Sequence, residues 1–378
     1  MRILLFHGDL DSLNHFTDIA KNFLEAVGCK THVCKITMPL SNRETDLLAD
    51  FLEKRVDAVI LYDGIGMLFK GIYDSLGILV VNILVDHPMT FVHCMADPPR
   101  KYIQFSPDER HAAFSKKYWN IRNSFFLPHM GTAPVVSIGG KRETGLLFAG
   151  NAWSFESLMD EIKDSAYSDI FVEMIEYMLL HSSVTIEDAC GIVIRDRGIG
   201  LSDGETAWLL VQAKAVDEYV RMYYRDRALR MILDSGMDLT VIGTNWDRTE
   251  FTARSNFHWI PEKPFAEIFR YMSASKVALN VMPWFKAGSH ERIFNALLSG
   301  ACPVSDKSTW LEQKFTDGED MVFYDLNELE RLPGIIREMV ENDDLRESIV
   351  KKGQEKVVCR YQAASVIGEV LRKVIELI

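Results

Sequence analysis

Residues 274–306, ASKVALNVMPWFKAGSHERIFNALLSGACPVSD, form one complete unit around which the rest of the chain is organised. The stretch predicts, in order, a strand at Val277–Met282, a loop broken by Pro283 and Gly288, a helix from about Ser289 to Leu298, and a short strand at Cys302–Ser305. Strand, loop and helix in this order are the building unit of α/β proteins. The stretch therefore predicts an α/β fold.

The junction between the loop and the helix of this stretch has the features of an anion site. Gly288 lets the backbone approach a ligand closely, and Ser289 can cap the helix that follows. The unpaired N–H groups of a helix N-terminus favour an anion, and Arg292 adds a positive charge beside them. The alternative is that Ser289 only caps the helix and that Arg292 is only a solvated charge on the surface of that helix.

Length and charge limit the classes of protein that need to be considered. A chain of 378 residues exceeds the usual size of a single core, which favours two domains. The net charge of −12 argues against nucleic acid as a partner, because binding a phosphate backbone requires a concentrated basic face. The six cysteines show no metal-ligand spacing, and a reduced, cytoplasmic setting fits them best.

The N-terminal segment MRILLFHGD predicts a short strand rather than a signal peptide. No run approaches the ~18 apolar residues that predict a membrane span. We therefore expect no integral membrane segment.

The first part of the chain, residues 1–135, alternates between apolar strands and amphipathic helices. Strands that are apolar throughout and separated by helices predict a parallel sheet that is covered on both faces. The right-handed crossover rule makes such a sheet doubly wound, with ligands at the carboxyl ends of its strands. We expect this domain to be Rossmann-like.

Histidine and aspartate residues are concentrated in the loops that follow the predicted strands of this first domain. Asp86-His87 is the strongest candidate for catalysis, with the carboxylate orienting the imidazole. Further candidates in loops at the same edge of the sheet are His7, Asp9, Asp11 and His129. A single histidine at a strand end is more often structural, but several at one edge favour an active-site wall.

The second part of the chain again alternates between strands and helices. It follows a linker at residues 136–144, which lies in a stretch rich in glycine and proline. A second Rossmann-like domain is predicted at residues 145–357, with a helical insertion at 154–234. Residues 358–378 predict an amphipathic helix whose apolar stripe could pack on either domain.

Three segments carry a resemblance to a known family: NILVDHP, VDEYVRMYYRDRALRMILDSGMDLTVIGTNW and GSHERIFNALLSGACPVSD. They resemble the CgeB-like group of GT-B glycosyltransferases, whose C-terminal part is of the glycosyl transferase group 1 type. The resemblance is good over residues 205–325 and looser elsewhere. It implies two Rossmann-like domains facing a central cleft, with the acceptor on the first domain and a nucleotide sugar on the second.

The resemblance also implies a set of donor-binding residues. The diphosphate would lie at Gly288, Ser289, His290 and Arg292, with Glu291 as a further catalytic candidate. Asn295 stands where relatives hold the ribose with a carboxylate, and Ala287 stands where retaining relatives carry a first glutamate. The remaining candidates close the same cleft: Gly150, Asn151, Gly243, Asn245, Trp246, Trp259, Ile260 and Pro261.

The reaction implied is transfer of a sugar, with a UDP-sugar favoured as donor, to a hydroxyl of a glycan, protein or small molecule, as in bacterial glycan or protein glycosylation. No cofactor and no metal are expected, because GT-B relatives neutralise the leaving diphosphate with dipoles and cations. We interpret Asp9-Leu10-Asp11 as an acceptor contact or helix cap rather than a metal site. The alternative function is a nucleotide-sugar epimerase, or another non-transferring enzyme of the same fold.

Overall fold

The computed structural model describes residues 1–36 and 42–378, which form two compact units. Unit 1 comprises residues 1–132 and 359–378, and unit 2 comprises residues 133–358. The segment predicted as a linker, residues 136–144, thus belongs to unit 2, whereas the C-terminal helix belongs to unit 1.

Unit 1 is built on six parallel strands in the order β2-β1-β3-β4-β5-β6. The strands are β1 (Arg2–His7), β2 (Lys30–Lys35), β3 (Ala58–Tyr62), β4 (Leu79–Ile83), β5 (Tyr102–Ser106) and β6 (Ser124–Phe126). The helices are α1 (Asp11–Ala26), α2 (Asn42–Leu52), α3 (Lys70–Leu76), α4 (Val92–Met95), α5 (Glu109–Trp119) and the C-terminal α16 (Ala363–Leu377). Strands β3, β4 and β5 are buried along their whole length, as expected for a sheet that is covered on both faces.

Unit 2 is built on a second set of six parallel strands, in the order β12-β11-β10-β7-β8-β9. The strands are β7 (Thr144–Ala149), β8 (Leu239–Ile242), β9 (Phe257–Ile260), β10 (Ser275–Asn280), β11 (Cys302–Asp306) and β12 (Val322–Tyr324). Between β7 and β8 lie α6 (Phe155–Asp164), α7 (Ser168–Leu180), α8 (Ile186–Asp196), α9 (Asp203–Gln212) and α10 (Lys214–Asp234). The later helices are α11 (Phe265–Ser273), α12 (Glu291–Leu298), α13 (Thr309–Lys314), α14 (Leu332–Glu341) and α15 (Asp343–Arg360).

The two Rossmann-like sheets predicted from the sequence are confirmed, and the helical insertion is the run of helices α6–α10. Two local expectations differ from the structure. Helix α12 begins at Glu291, two residues later than predicted, and α15 was missed because its apolar positions follow no clear helical stripe. Helix α16 buries Val366, Ile367, Val370 and Val374, but Ile375 and the chain end are exposed. None of the helices within residues 1–36 and 42–378 is both long and apolar enough to cross a bilayer.

The strand order places a topological switch point in each sheet. In unit 1 the chain departs from β1 first to β2 on one side and then to β3 on the other, so the loops after β1 and β3 diverge. In unit 2 the corresponding pair is β7 and β10. Ligands of doubly wound proteins bind outside the carboxyl ends of the strands at such a point.

Candidate functional site

The loops that follow β7 and β8 are held together by hydrogen bonds at the switch point of unit 2. The indole N–H of Trp246 donates to the carbonyl oxygen of Gly150 at 2.7 Å, and the backbone N–H of Thr244 donates to Oδ1 of Asn151 at 3.0 Å. A Cβ atom on Gly243 would lie 2.2 Å from the oxygen of Gly150. The predicted glycines are therefore needed here because the two backbones touch.

Several residues predicted to contact the donor support these loops instead. Trp246 is completely buried, so it cannot touch a ligand directly. The indole N–H of Trp259 donates to the carbonyl oxygen of Gly243 at 2.9 Å, and Nδ2 of Asn245 donates to that of Ala152 at 3.1 Å. Beyond Trp259, Ile260 is half-buried and Pro261 is exposed.

The loop between β10 and α12, residues 281–290, is fixed along its length. Oδ1 of Asp306 accepts a hydrogen bond from the N–H of Met282 at 2.8 Å, and the hydroxyl of Ser308 donates to the carbonyl oxygen of Gly288 at 2.6 Å. Burial raises the pKa of Asp306 to about 7, although the bond from Met282 and the charges of Lys286 and Arg292 oppose this. The loop is thus rigidly placed beside an ionisable group.

Ser289 does not cap α12, which corrects the prediction. His290 occupies the N-cap position, and the side chain of Ser289 is completely buried. Among the residues that the structure describes, the hydroxyl of Ser289 finds no hydrogen-bond partner. Asn295 also differs from expectation, because its Oδ1 accepts a hydrogen bond from the N–H of Ala133 at 2.9 Å and so secures the start of unit 2.

Arg292, His290 and Glu291 form one hydrogen-bonded group at the start of α12. Nη1 of Arg292 donates to Oδ1 of Asn280 at 3.1 Å, and Nη2 lies 3.2 Å from Nε2 of His290. A guanidinium can only donate, so Nε2 accepts in this contact. Nδ1 of the same ring lies 3.3 Å from the backbone nitrogen of Arg292, which donates to it at the N-cap, and 2.6 Å from the carboxylate of Glu291. Glu291 is therefore engaged with His290, and burial lowers the pKa of Arg292.

Arg225, on α10, is a site residue that the sequence reasoning missed. Its side chain is only 3% exposed, and Nη1 donates to the carbonyl oxygen of Asn151 at 2.5 Å. The guanidinium lies over Phe148 and Trp153, at 5.5 and 5.2 Å from their ring centroids. Within residues 1–36 and 42–378, no carboxylate forms an ion pair with Arg225. Its surroundings are thus aromatic rings and a backbone carbonyl.

The electrostatic environment of Arg225 is unfavourable for its charge. Burial is the main cause that lowers its pKa to about 9, and the charges of Arg292 and Arg221 add to the effect. Arg221 itself pairs with Asp217 at 2.6 Å. The sequence did contain an indication that two of these arginines lie together, because Arg221 and Arg225 are four residues apart and share one buried face of α10. Three arginines therefore converge on the switch point of unit 2.

The catalytic candidates of unit 1 lie in the loop that follows β4. Oδ1 of Asp86 accepts a hydrogen bond from the backbone N–H of His87 at 2.7 Å. Nδ1 of the buried His87 ring accepts from the N–H of Met89 at 3.1 Å. This bond leaves the proton of the neutral ring on Nε2. In this tautomer Nε2 of His87 is a hydrogen-bond donor.

The acceptor-side candidates of unit 1 are His7, Asp9, Asp11 and His129, and two of them have hydrogen-bond contacts within unit 1. Nε2 of His7 contacts Oδ1 of Asp18 at 3.0 Å, and Nε2 of the buried His129 contacts the carbonyl oxygen of Val85 at 3.2 Å. Asp9 and Asp11 are exposed at the start of α1. Their predicted contact with an acceptor stays a prediction.

Asp63 is a further ionisable residue at the switch point of unit 1. It follows β3 with a φ of +49°, and its Oδ1 accepts a hydrogen bond from the N–H of Val85 at 2.9 Å. Burial raises the pKa of Asp63 to about 8, with a further contribution from the charge of Asp86. Asp63 directly follows β3 in the sequence, but the desolvation of its carboxyl group depends on the tertiary structure.

No three or more His, Cys, Asp or Glu side chains are positioned to hold a metal ion in the part of the chain that the structure describes. Asp9 and Asp11 belong to no such group. The positively charged side chains described at the switch point of unit 2 are Arg221, Arg225, Arg292 and Lys286.

Comparison with known proteins agrees with this arrangement. Residues 225–372 match the family model described as glycosyl transferase-like, a segment that begins at Arg225 and includes Arg292. None of the curated proteins compared by sequence matches the chain.

Three solved structures resemble the chain over almost its full length. HepE from Anabaena, in complex with UDP-glucose, has a TM-score of 0.55 at 11% identity and covers 100% of both chains. Sucrose-phosphate synthase from Thermosynechococcus elongatus has a TM-score of 0.56 at 8% identity, covering 100% of this chain and 99% of its own. WaaG, a glycosyltransferase involved in lipopolysaccharide biosynthesis, has a TM-score of 0.52 at 12% identity and covers 99% of both chains.

Identities this low show the fold alone, and that fold is the predicted GT-B fold. The resemblance to group 1-type glycosyltransferases found in the sequence is confirmed for residues 225–372, which match the glycosyl transferase-like model.

Proposed function

We propose that this chain transfers a hexosyl group from a UDP-sugar to a hydroxyl of an acceptor, and that unit 2 binds the donor through Arg225 and Arg292. The observation that carries the proposal is the position of Arg225. Its guanidinium is buried at the switch point, with other arginines nearby and without a paired carboxylate in the described structure.

A buried charge without a counter-ion is costly, and an anion bound next to it removes part of that cost. The diphosphate of a nucleotide sugar is such an anion, and guanidinium groups suit it because they donate two parallel hydrogen bonds. Nε of Arg225 is buried and has no hydrogen-bond partner within the described residues, which leaves one donor of the guanidinium for a ligand. The start of α12 adds backbone N–H groups beside Arg292.

Two further considerations favour a UDP-sugar and a reaction without metal. HepE, which has the same fold, is described in complex with UDP-glucose. The arginines can neutralise the charge that develops on the leaving diphosphate, which is the role that a metal ion has in other transferases. Electrostatic stabilisation of a leaving group is usually a large part of catalysis.

The proposal is tested by ligand-induced stabilisation in the presence of EDTA. UDP-glucose, GDP-glucose, dTDP-glucose and CMP-sialic acid are each added at increasing concentration while the melting temperature is recorded. We expect selective stabilisation by the UDP-sugar, by about 2.7 kcal/mol at one hundred times its Kd. Arg292→Met should remove most of this shift, whereas Arg337→Met, at an exposed position of α14, should not.

Turnover is then followed by release of UDP from UDP-glucose with a panel of acceptors. Transfer of the glucosyl group to an acceptor distinguishes a transferase from an epimerase, which would change the sugar without releasing UDP. A shift caused by every nucleotide equally, or a shift that needs added metal, would contradict the proposal.

A further inference from the structure

The helical insertion is tied to the loop of residues 281–290 at two points. Nζ of Lys286 donates a hydrogen bond to the carbonyl oxygen of Ser182, in the turn between α7 and α8. The guanidinium of Arg221, on α10, stacks on the ring of Trp284 at 4.2 Å from its centroid. The insertion therefore holds the segment that leads into Gly288 and α12.

The stacking of Arg221 on Trp284 depends on a third residue. Nη2 of Arg221 lies 2.6 Å from the carboxylate of Asp217, one helical turn earlier on α10. Both side chains are almost completely buried, with 8% and 7% exposure. A buried guanidinium keeps one orientation when a carboxylate fixes its planar fork. Asp217 therefore sets the plane that faces Trp284.

We propose that Asp217 is a positioning residue of the donor site, which holds Arg221 against Trp284 and thereby fixes the loop that receives the diphosphate. The tie between Lys286 and Ser182 acts on the same loop from the other side. The inference rests on the proposed function and adds a role for the helical insertion, whose helices α6–α10 would otherwise only enlarge the unit.

The direction in which the Kd changes when Asp217 is neutralised distinguishes a positioning role of Asp217 from a purely electrostatic one. Asp217 carries a negative charge close to an anion site, so its neutralisation alone should strengthen the binding of an anion. If Asp217 acts by holding Arg221 in place, its neutralisation should weaken binding, because the loop loses its fixed geometry. The two explanations thus predict opposite changes in Kd for the same substitution.

The experiment measures the Kd of UDP by isothermal titration calorimetry for Asp217→Asn. We expect a Kd about tenfold higher than that of the parent protein. Asp226→Asn is the matched control, because Asp226 pairs with Arg230 on the same helix at 2.6 Å, and Arg230 contacts Glu250 and the ring of Phe251 rather than Trp284. The control should change the Kd by less than about twofold.

A second pair of variants addresses the possibility that Asp217→Asn does not fold. Lys286→Met should weaken UDP binding, and Lys286→Arg, which can still donate to the carbonyl of Ser182, should restore most of it. An unchanged or lower Kd in Asp217→Asn, or equal Kd values for both Lys286 variants and the parent, would overturn the inference while leaving the proposed function intact. If the parent protein itself bound no UDP, both would fail.

Discussion

Arg225 and Arg292 approach the same aromatic ring, with their guanidinium carbons 5.5 and 6.0 Å from the centroid of Phe148. They come from α10 and α12, and the charge of Arg292 contributes to the lowered pKa of Arg225. Two buried positive charges close to each other destabilise the protein unless an anion binds beside them. Function and stability are therefore expected to conflict at this point.

Replacing Arg225 with Met should affect stability and binding in opposite directions. The substitution removes a buried charge that lacks a paired carboxylate within the described residues, so the midpoint of urea unfolding should rise or stay equal. The Kd of UDP should increase by roughly 10- to 150-fold, which corresponds to the ~1.5–3 kcal/mol of a hydrogen bond to a charged group.

The control for this substitution is Arg227→Met on the same helix. Nη1 of Arg227 donates to the hydroxyl of Tyr223 at an exposed position, at 2.9 Å. Its replacement should leave the Kd of UDP nearly unchanged. A large loss of stability in Arg225→Met would show that the buried charge is already compensated in the free protein, contrary to our interpretation.

The buried carboxyl groups of Asp63 and Asp306 should make the protein less stable as the pH rises. Their pKa values in the folded state are raised to about 8 and about 7, whereas an unfolded chain holds an aspartate near ~3.9. The unfolded state therefore loses its protons first. The stabilisation is complete below about pH 4 and is lost as the pH increases through 7 and 8, by up to about 1.4 kcal/mol per pH unit and group.

Asn substitutions test this pH dependence without removing the hydrogen bonds. Asparagine can still accept from the N–H of Val85 at position 63 and from that of Met282 at position 306, and it tolerates the positive φ of Asp63. In chemical unfolding from pH 4 to 9, Asp63→Asn and Asp306→Asn should each flatten the curve of unfolding free energy. Asp57→Asn is the control, since Asp57 also accepts a backbone N–H, that of Arg2. Curves that stay parallel to that of the parent would contradict the assignment.

Gly353 should not tolerate a side chain, because α15 packs closely on its neighbours there. A Cβ atom would lie 2.3 Å from the carbonyl oxygen of Asp320 and 2.7 Å from a methyl group of Leu297 on α12. Gly353→Ala should cost about 1–3 kcal/mol in the free energy of unfolding, as overpacking usually does.

Gly334→Ala provides the matched comparison for Gly353→Ala. Gly334 lies in α14, and a Cβ atom there would meet nothing within 4 Å. Alanine favours the helical backbone by up to about 1 kcal/mol over glycine, so Gly334→Ala should be neutral or stabilising. Equal melting temperatures for the two variants would contradict the close packing of α15.

The hydrophobic pattern alone was sufficient to predict the parallel sheets and the helices between them. Strand β3 is apolar throughout, and β10 contains the apolar run of residues 277–279. These elements follow from local periodicity, which depends only on which neighbours in the sequence are apolar. The same holds for Gly288 and Arg292, which lie in the loop and helix that the pattern defines.

Tertiary structure decided which polar groups act together. The sequence marked Ser289 as a cap, but the structure places His290 at the cap. Arg225 was missed because its significance depends on burial and on Arg292 nearby, which only packing brings about. Local sequence thus determined the elements, whereas desolvation and long-range contacts determined the charges at the switch point of unit 2.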